Sequence, residues 1–197
     1  MPRVDESYDD VLAETRADWR RWLEANHATA PGVWLVTYKK GSGQPHLPWD
    51  DVVEEALCFG WIDSRGNKVD AVRTKLLVTP RRPGSAWSRV NKERIERLLA
   101  NGLMTPAGQA RIDAAQADGS WPALDEVEAL VVPPDLEAAL DADSAARAGW
   151  ETFPPSVKKP LLWWVGSAKR PATRARRIAE IVMGAKQGRN PLAYRPK

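Results

Sequence analysis

The chain has 197 residues, of which 43% are hydrophobic, and this is enough to bury the core of one large domain or of a core with a smaller appendage. We therefore do not expect intrinsic disorder. No apolar run approaches the roughly 18 residues that span a bilayer, and the acidic start "MPRVDESYDD" does not resemble a secretory signal. The sequence predicts a cytoplasmic protein with no membrane span.

The sequence contains few residues of the kinds that bind metals or cofactors. Cys58 is the single cysteine, which excludes an internal disulfide and a cysteine-clustered zinc site, and His27 and His46 share no ligand spacing with acids. The segment "GSG" at 41–43 lacks the lysine and the helix of a phosphate loop, and no dinucleotide-binding fingerprint is present. We expect no metal and no cofactor.

The net charge of +3 conceals an alternation of charged blocks. Residues 1–63 carry 6 basic and 12 acidic side chains, net −6, and residues 64–111 carry 11 and 3, net +8. Residues 112–156 carry 1 and 10, net −9, and residues 157–197 carry 11 and 1, net +10. This pattern predicts one of two arrangements: opposite blocks pair within the fold, or the two basic blocks converge on one anionic partner.

The first part of the chain predicts helices alternating with short strands. A capping box from Thr15 to Asp18 starts a helix expected over about 16–27. Expected next are a strand over 33–40, a helix from Trp49 to Leu57 closed by Gly60, a strand over 61–63, a turn at Gly66-Asn67, and a strand over 69–79 that alternates through 72, 74, 76 and 78.

The second part predicts helices. Ser88 is placed to cap a helix that begins near Arg89, and Thr105 caps another that ends near Gly119. Further helices are expected over about 135–148, 157–168 and 171–187. The predicted fold class is α+β, with a small mainly antiparallel sheet packed by helices and a helical C-terminal region. We expect a core domain over 1–119, an acidic, proline-containing linker over 120–134, and a helical region over 135–197 that packs on the core.

The loop "PRRPGSAWS", residues 80–88, predicts an anion site. Prolines stiffen the backbone, Arg81 and Arg82 present planar forks to a carboxylate or phosphate, and Ser85 supplies a hydroxyl. Trp87 offers a flat apolar wall, and Ser88 lies at the start of a helix whose free N–H groups carry partial positive charge. The alternative is that these arginines pair with acids such as Asp63 and that the tryptophan belongs to the core.

A second basic segment, "SAKRPATRARR", supports the anion interpretation. Arg170, Arg174 and Arg177 lie at i, i+4 and i+7 on one helix flank, where like charges repel, so an acidic partner is expected to face them. That partner is either an internal acidic segment or an anionic ligand. We hypothesise that the two basic segments share one groove, with these ligand-binding residues: Trp61, Asp63, Arg81, Arg82, Ser85, Trp87, Ser88, Lys169, Arg170 and Arg174.

Four segments taken in order resemble the YdeI/OmpD-associated, or bacteriocin-protection, family: "WLEANHATAPGVWL", "ALCFGWIDS", "TPRRPGSAWSRVNKERIERLLANGLMTPAG" and "SAKRPATRARRIAEIV". The resemblance extends over nearly the whole chain. It implies a role in bacterial survival under antimicrobial peptides and envelope stress, and it implies no defined chemical activity.

Three functional hypotheses follow. The first is a non-catalytic stress or bacteriocin-protection protein that binds a small anionic ligand or peptide in a groove lined by tryptophan and arginine, with another protein as an alternative partner. The second is nucleic-acid binding through residues 64–111 and 157–197, against which the interleaved acidic blocks argue because they repel phosphates. The third is an enzyme of unknown type, although no constellation of acid, base and nucleophile is evident and Cys58 is expected to be a small buried hydrophobe. The sequence does not define the oligomeric state.

Overall fold

The structure, a computed structural model, describes residues 8–193 and divides between Pro122 and Ala123 into two units, each with its own hydrophobic core. The first unit contains β1 (Asp10–Leu12), α1 (Arg16–Asn26), β2 (Val33–Tyr38), α2 (Trp49–Cys58), β3 (Trp61–Lys68), β4 (Arg73–Pro80), α3 (Arg89–Ala100) and α4 (Pro106–Ala117). The second unit contains α5 (Asp125–Glu128), α6 (Pro134–Asp141), α7 (Ser144–Thr152), α8 (Pro155–Gly166) and α9 (Pro171–Lys186).

The four strands form one sheet in the order β1-β2-β4-β3. β1 is parallel to β2, and the other two pairs are antiparallel. The sheet is therefore mostly antiparallel, and helices follow it in the second unit. These features confirm the predicted α+β class.

Helix starts in the first unit follow the capping signals of the sequence. Thr15 Oγ1 accepts the backbone N–H of Asp18, and the Asp18 carboxylate accepts the N–H of Thr15, which completes the predicted capping box of α1. Ser88 Oγ accepts the Asn91 N–H at the start of α3, and Thr105 caps α4 in the same way. These three predictions are confirmed because each depends on contacts within four residues.

The predicted turn at Gly66-Asn67 is wrong. Both residues lie inside β3, where Gly66 faces Leu76 and Asn67 faces Lys75 across the strand pair. The chain turns after residue 68 instead, where the Asp70 carboxylate accepts the N–H groups of Val72 and Arg73. The glycine follows a shift in register between Asp63 and Gly66, a position where a bulge favours this residue.

One face of the sheet carries the core of the first unit. Val33 and Leu35 of β2 and Val78 of β4 are buried in this core, together with side chains of α1 and α2. Trp19 of α1 is fully buried, and its indole N–H donates to the Val52 carbonyl at 3.0 Å. Because side chains alternate along a strand, the residues on either side of Val78 point to the opposite face of the sheet.

The second unit is helical, and its core contains Leu136, Leu140, Trp150, Leu161 and Ile181 among others. The single helix predicted over 135–148 is wrong, since α6 and α7 are separate helices. Asp143 causes the break, because its carboxylate accepts the N–H groups of Ala145 and Ala146 and caps α7.

Part of the segment predicted as a linker, residues 120–134, has regular structure. It contains α5, and Val127, Leu130 and Val132 pack against the core of the second unit. The prolines of this segment mark the start of a helix, since Pro133 is the N-cap residue of α6 and Pro134 is its first residue. Across residues 8–193, no helix combines the length and the apolar character needed to cross a membrane.

Candidate functional groove

The loop after β4 is held by backbone contacts at several points. The Arg81 N–H donates to the Gly60 carbonyl at 3.0 Å, and the Ser85 N–H donates to the Arg82 carbonyl at 3.2 Å. Gly84 adopts a φ of 71°, which a residue without a Cβ reaches freely, and its N–H donates to the Asp118 carboxylate. The loop is therefore tied by hydrogen bonds to the ends of α2 and α4.

Arg81 is the unusual residue of this loop because its guanidinium is buried. The residue is 5% exposed, its Cζ lies 3.6 Å from the centroid of the Trp87 ring, and Nη2 donates to the Ala86 carbonyl at 2.8 Å. Burial lowers the pKa of Arg81 to about 10, and the charge of Asp63 opposes this effect. Nε is buried without a hydrogen-bond partner.

An open groove of about 750 Å³ begins at Arg81. It is lined by Tyr8, Ile62, Ser64, Arg65, Leu77, Thr79, Pro80, Arg81, Arg82, Ser85 and Ala86. We call this the sheet-face groove, because its floor is the face of β3 and β4 opposite the core. Its lining contains positively charged, hydroxyl-bearing and apolar side chains. Its volume lies within the range of small-molecule binding sites.

Arg81, Arg82 and Ser85 also line a small cavity of about 30 Å³. It is also lined by Ser120, whose buried hydroxyl has no hydrogen-bond partner. A cavity of this size with a polar lining suits one water molecule. Arg81 therefore lines both cavities.

Most other arginines near α2 are paired with carboxylates. Arg16 pairs with Asp51, Glu54 and Glu55, and the buried Glu55 also accepts Arg20. From the basic block 64–111, Arg94 pairs with Asp50 and Arg97 with Glu54. No salt bridge joins Arg81 or Arg82 to a carboxylate within residues 8–193. The loop arginines thus differ from the arginines that stabilise the helices.

The second basic segment has its acidic partner inside its own unit. Arg174 donates to both oxygens of Asp135 at 2.6 and 2.8 Å and to the Val165 carbonyl at 3.2 Å. The hydrogen bonds of Arg174 lower the pKa of Asp135. Arg177 donates to the Trp164 carbonyl and to Ser167 Oγ. The pair of Arg174 and Asp135 lines a cavity of about 490 Å³ whose other walls are apolar residues of α6 and α9.

The remaining predicted site residues occupy varied positions. Trp61 is 1% exposed in the core, with its indole N–H on the His27 carbonyl, and Trp87 is 2% exposed beneath Arg81. Asp63 accepts the indole N–H of Trp49 at 3.2 Å. Lys169 and Arg170 are exposed just before α9, and Arg170 is its N-cap residue. Arg81, Arg82 and Ser85 are brought together around the sheet-face groove. A groove common to both units stays a prediction.

Several lining residues were not predicted from the sequence, namely Tyr8, Ile62, Ser64, Arg65, Leu77 and Thr79. The alternation over 72–78 could have identified two of them. It marks Leu76 and Val78 as one face of β4, so Leu77 and Thr79 must lie on the other face.

The described residues offer little for metal chemistry, because no group of three or more histidine, cysteine, aspartate or glutamate side chains within residues 8–193 could hold a metal ion. Cys58 is fully buried, as predicted, and burial raises its pKa to about 11. The cysteine is therefore a core residue.

Comparison with protein families gives two matches. Residues 11–111, which include the loop and its two arginines, match the model described as "Domain of unknown function (DUF8412)". Residues 129–188, which include α6 to α9, match the model described as "Bacteriocin-protection, YdeI or OmpD-Associated". No curated protein and no solved structure matches the chain.

Proposed function

Because the chain belongs to the family of the domain of unknown function DUF8412 and carries a bacteriocin-protection, YdeI or OmpD-associated domain at residues 129–188, we propose that it is a bacterial stress and bacteriocin-protection protein that binds an anionic ligand in the sheet-face groove. The resemblance of its C-terminal segment to that family is confirmed by the match. The anionic ligand is the part of the proposal that rests on the groove.

A single observation carries the anion: the buried guanidinium of Arg81 has no carboxylate partner, although carboxylates pair with arginines elsewhere in the unit. A buried charge costs free energy unless it is paired, and burial lowers the pKa of Arg81 for the same reason. A carboxylate or phosphate at the Arg81 end of the groove would supply the missing charge. Arg82 and the Ser85 hydroxyl lie at the same end.

The proposal is tested with variants that remove one positive charge each. Arg82→Ala and Arg81→Met are compared with Arg21→Ala, an exposed arginine of α1 outside the groove. Binding of acetate, inorganic phosphate and longer carboxylates is measured by calorimetry. We expect Arg82→Ala to weaken binding about 10-fold, as for one charge-assisted hydrogen bond, and Arg21→Ala to leave binding unchanged.

The biological half of the proposal is tested in bacteria that produce the protein under bacteriocin challenge. Survival is expected to fall with Arg81→Met and Arg82→Ala and to be preserved with Arg21→Ala, provided that all three proteins reach equal levels. If all variants survive equally although Arg81→Met and Arg82→Ala have lost anion binding, protection against the bacteriocin does not depend on the groove.

A further inference from the structure

We infer that the ligand of the sheet-face groove is a carboxylic acid with an apolar chain or ring, bound with its carboxylate at Arg81 and its apolar body along β4. This inference rests on the proposed function and adds the class of ligand. Two observations support it: the apolar side chains that line the groove beyond Arg81 and Arg82, and the length of that part of the groove.

The apolar part of the groove is built by strand register. Val78 is fully buried in the core, so Leu77 and Thr79 point to the other face of the sheet, and Ile62 lies directly opposite Thr79. Side chains on this face therefore offer a floor of Leu77, Ile62 and the Thr79 methyl group. A floor of this kind attracts hydrocarbon and gives nothing to a bare inorganic ion.

Tyr8 closes this floor as an aromatic wall. Its ring and the Thr79 methyl lie so close to Gly32 that a Cβ added to the glycine would come within 2.9 Å of both. Gly32 therefore allows Tyr8 to approach the sheet beside the groove. A larger residue at position 32 would displace the Tyr8 ring or the Thr79 methyl group.

The dimensions favour an extended ligand. The four residue steps from Leu77 to Arg81 span about 13 Å if the chain stays extended, since a strand rises about 3.3 Å per residue. The groove of about 750 Å³ far exceeds a phosphate or acetate ion, given that one water takes up about 30 Å³. A carboxylate on Arg81 and Arg82 would leave most of this length for an apolar body.

The charge at the Arg81 end favours a single carboxylate. One Arg81 nitrogen, Nη2, donates to the Ala86 carbonyl, and Nε is buried, so few N–H groups remain for the ligand. Arg82 and the Ser85 hydroxyl complete the polar end. The Ser64 hydroxyl belongs to the other end of the groove, where it donates to the Leu77 carbonyl at 3.3 Å. A planar carboxylate matches a planar guanidinium fork.

The experiment is a chain-length series. Acetate, butyrate, hexanoate, octanoate and decanoate are titrated into the full-length protein, with octanamide and inorganic phosphate as controls. Affinity is expected to rise two- to four-fold with each added methylene, the upper value corresponding to about 0.8 kcal/mol per buried CH₂, until the groove is filled. Octanamide is expected to bind at least 10-fold more weakly than octanoate.

A matched pair of variants tests the location. Ser64→Phe places a ring in the groove from an exposed position of β3, and Asn67→Phe places the same ring on the same strand outside the groove. Ser64→Phe should reduce octanoate affinity at least 10-fold and leave acetate affinity unchanged, while Asn67→Phe should alter neither.

The outcomes separate the two proposals. Equal affinity for acetate, phosphate and octanoate, all dependent on Arg82, would overturn the apolar body and leave anion binding intact. Preference for phosphate over octanoate would overturn the carboxylic acid. No binding of any anion at about 10 mM, a concentration that detects very weak sites, would overturn the proposed function itself.

Discussion

Cys58, at the end of α2, shows how burial decides the chemistry of a single residue. Its side chain is fully buried, and burial raises its pKa to about 11 from 9.0. The thiolate is the reactive form, so at neutral pH its fraction should be about 100-fold lower than in an ordinary cysteine. We expect thiol reagents to label the native protein at least that much more slowly than the protein in denaturant.

Substitution of the same residue tests its packing. Cys58→Ser should lower the free energy of unfolding about 1–3 kcal/mol more than Cys58→Ala, because the buried hydroxyl demands a partner. Urea unfolding of both variants measures this difference. Rapid labelling of the native chain, or a serine variant as stable as the alanine variant, would contradict the burial.

Because the thiol of Cys58 holds its proton more tightly in the folded protein, the free energy of unfolding should also fall as the pH rises from 9.0 towards 11.

At the residue scale, local chemistry was predictable and long-range geometry was not. The sequence placed Arg81, Arg82 and Ser85 in one rigid loop, and the structure brings them together at one groove. It could not reveal that Trp87 lies beneath Arg81, since a ring at i+6 stacks only if the loop folds back. Nor could it associate Tyr8 with the groove, because residues far apart in the sequence line the groove together only once the chain has folded.

At the scale of elements, close helix packing makes a glycine indispensable at one place and replaceable at another. A Cβ on Gly149 of α7 would collide with the Ala185 carbonyl of α9, whereas a Cβ on Gly166, the last residue of α8, meets nothing within 4 Å. We expect Gly149→Ala to destabilise the second unit by about 1–3 kcal/mol through overpacking. Gly166→Ala should be neutral or stabilise it by up to about 1 kcal/mol, because alanine loses less backbone entropy.

Thermal unfolding followed by circular dichroism compares these two alanine variants of the same unit. A Gly149→Ala protein that melts with the unaltered chain would mean that α7 and α9 can separate without cost. A Gly166→Ala protein that melts well below it would mean that the end of α8 contacts a neighbour.

The element boundaries show which signals a sequence contains. Helix starts at Thr15, Ser88 and Thr105 were predictable because each capping side chain bonds a backbone group three residues away. β1 was not predicted, since its three residues acquire a strand conformation by pairing in parallel with β2. The misplaced turn at Gly66-Asn67 has a similar cause. A glycine permits a turn or a bulge, and only the partner strand decides between them.

At the scale of the whole molecule, part of the charge in the alternating blocks is paired inside each unit. Acids of α2, from the first acidic block, accept Arg94 and Arg97 from the first basic block. In the second unit, Asp135, Asp143 and Glu128 accept Arg174, Lys186 and Lys159, respectively. Part of the positive charge behind the sequence pI of about 9.1 is therefore already paired with carboxylates.

This pairing predicts weak binding to nucleic acid. A protein that neutralises six or more phosphates loses about 10³–10⁵ in affinity between about 50 and 200 mM salt, and such contacts require cations that are not already paired. We expect the dissociation constant for duplex DNA to be above about 1 μM at about 150 mM salt, with a shallow salt dependence.

The variant Asp135→Asn releases Arg174 from its carboxylate and should steepen the salt dependence by about one phosphate contact. Fluorescence anisotropy over a salt series measures both quantities. Submicromolar affinity at about 150 mM salt, with a slope of several phosphates in the unaltered chain, would show that the basic blocks face a polyanion and that their internal partners are secondary.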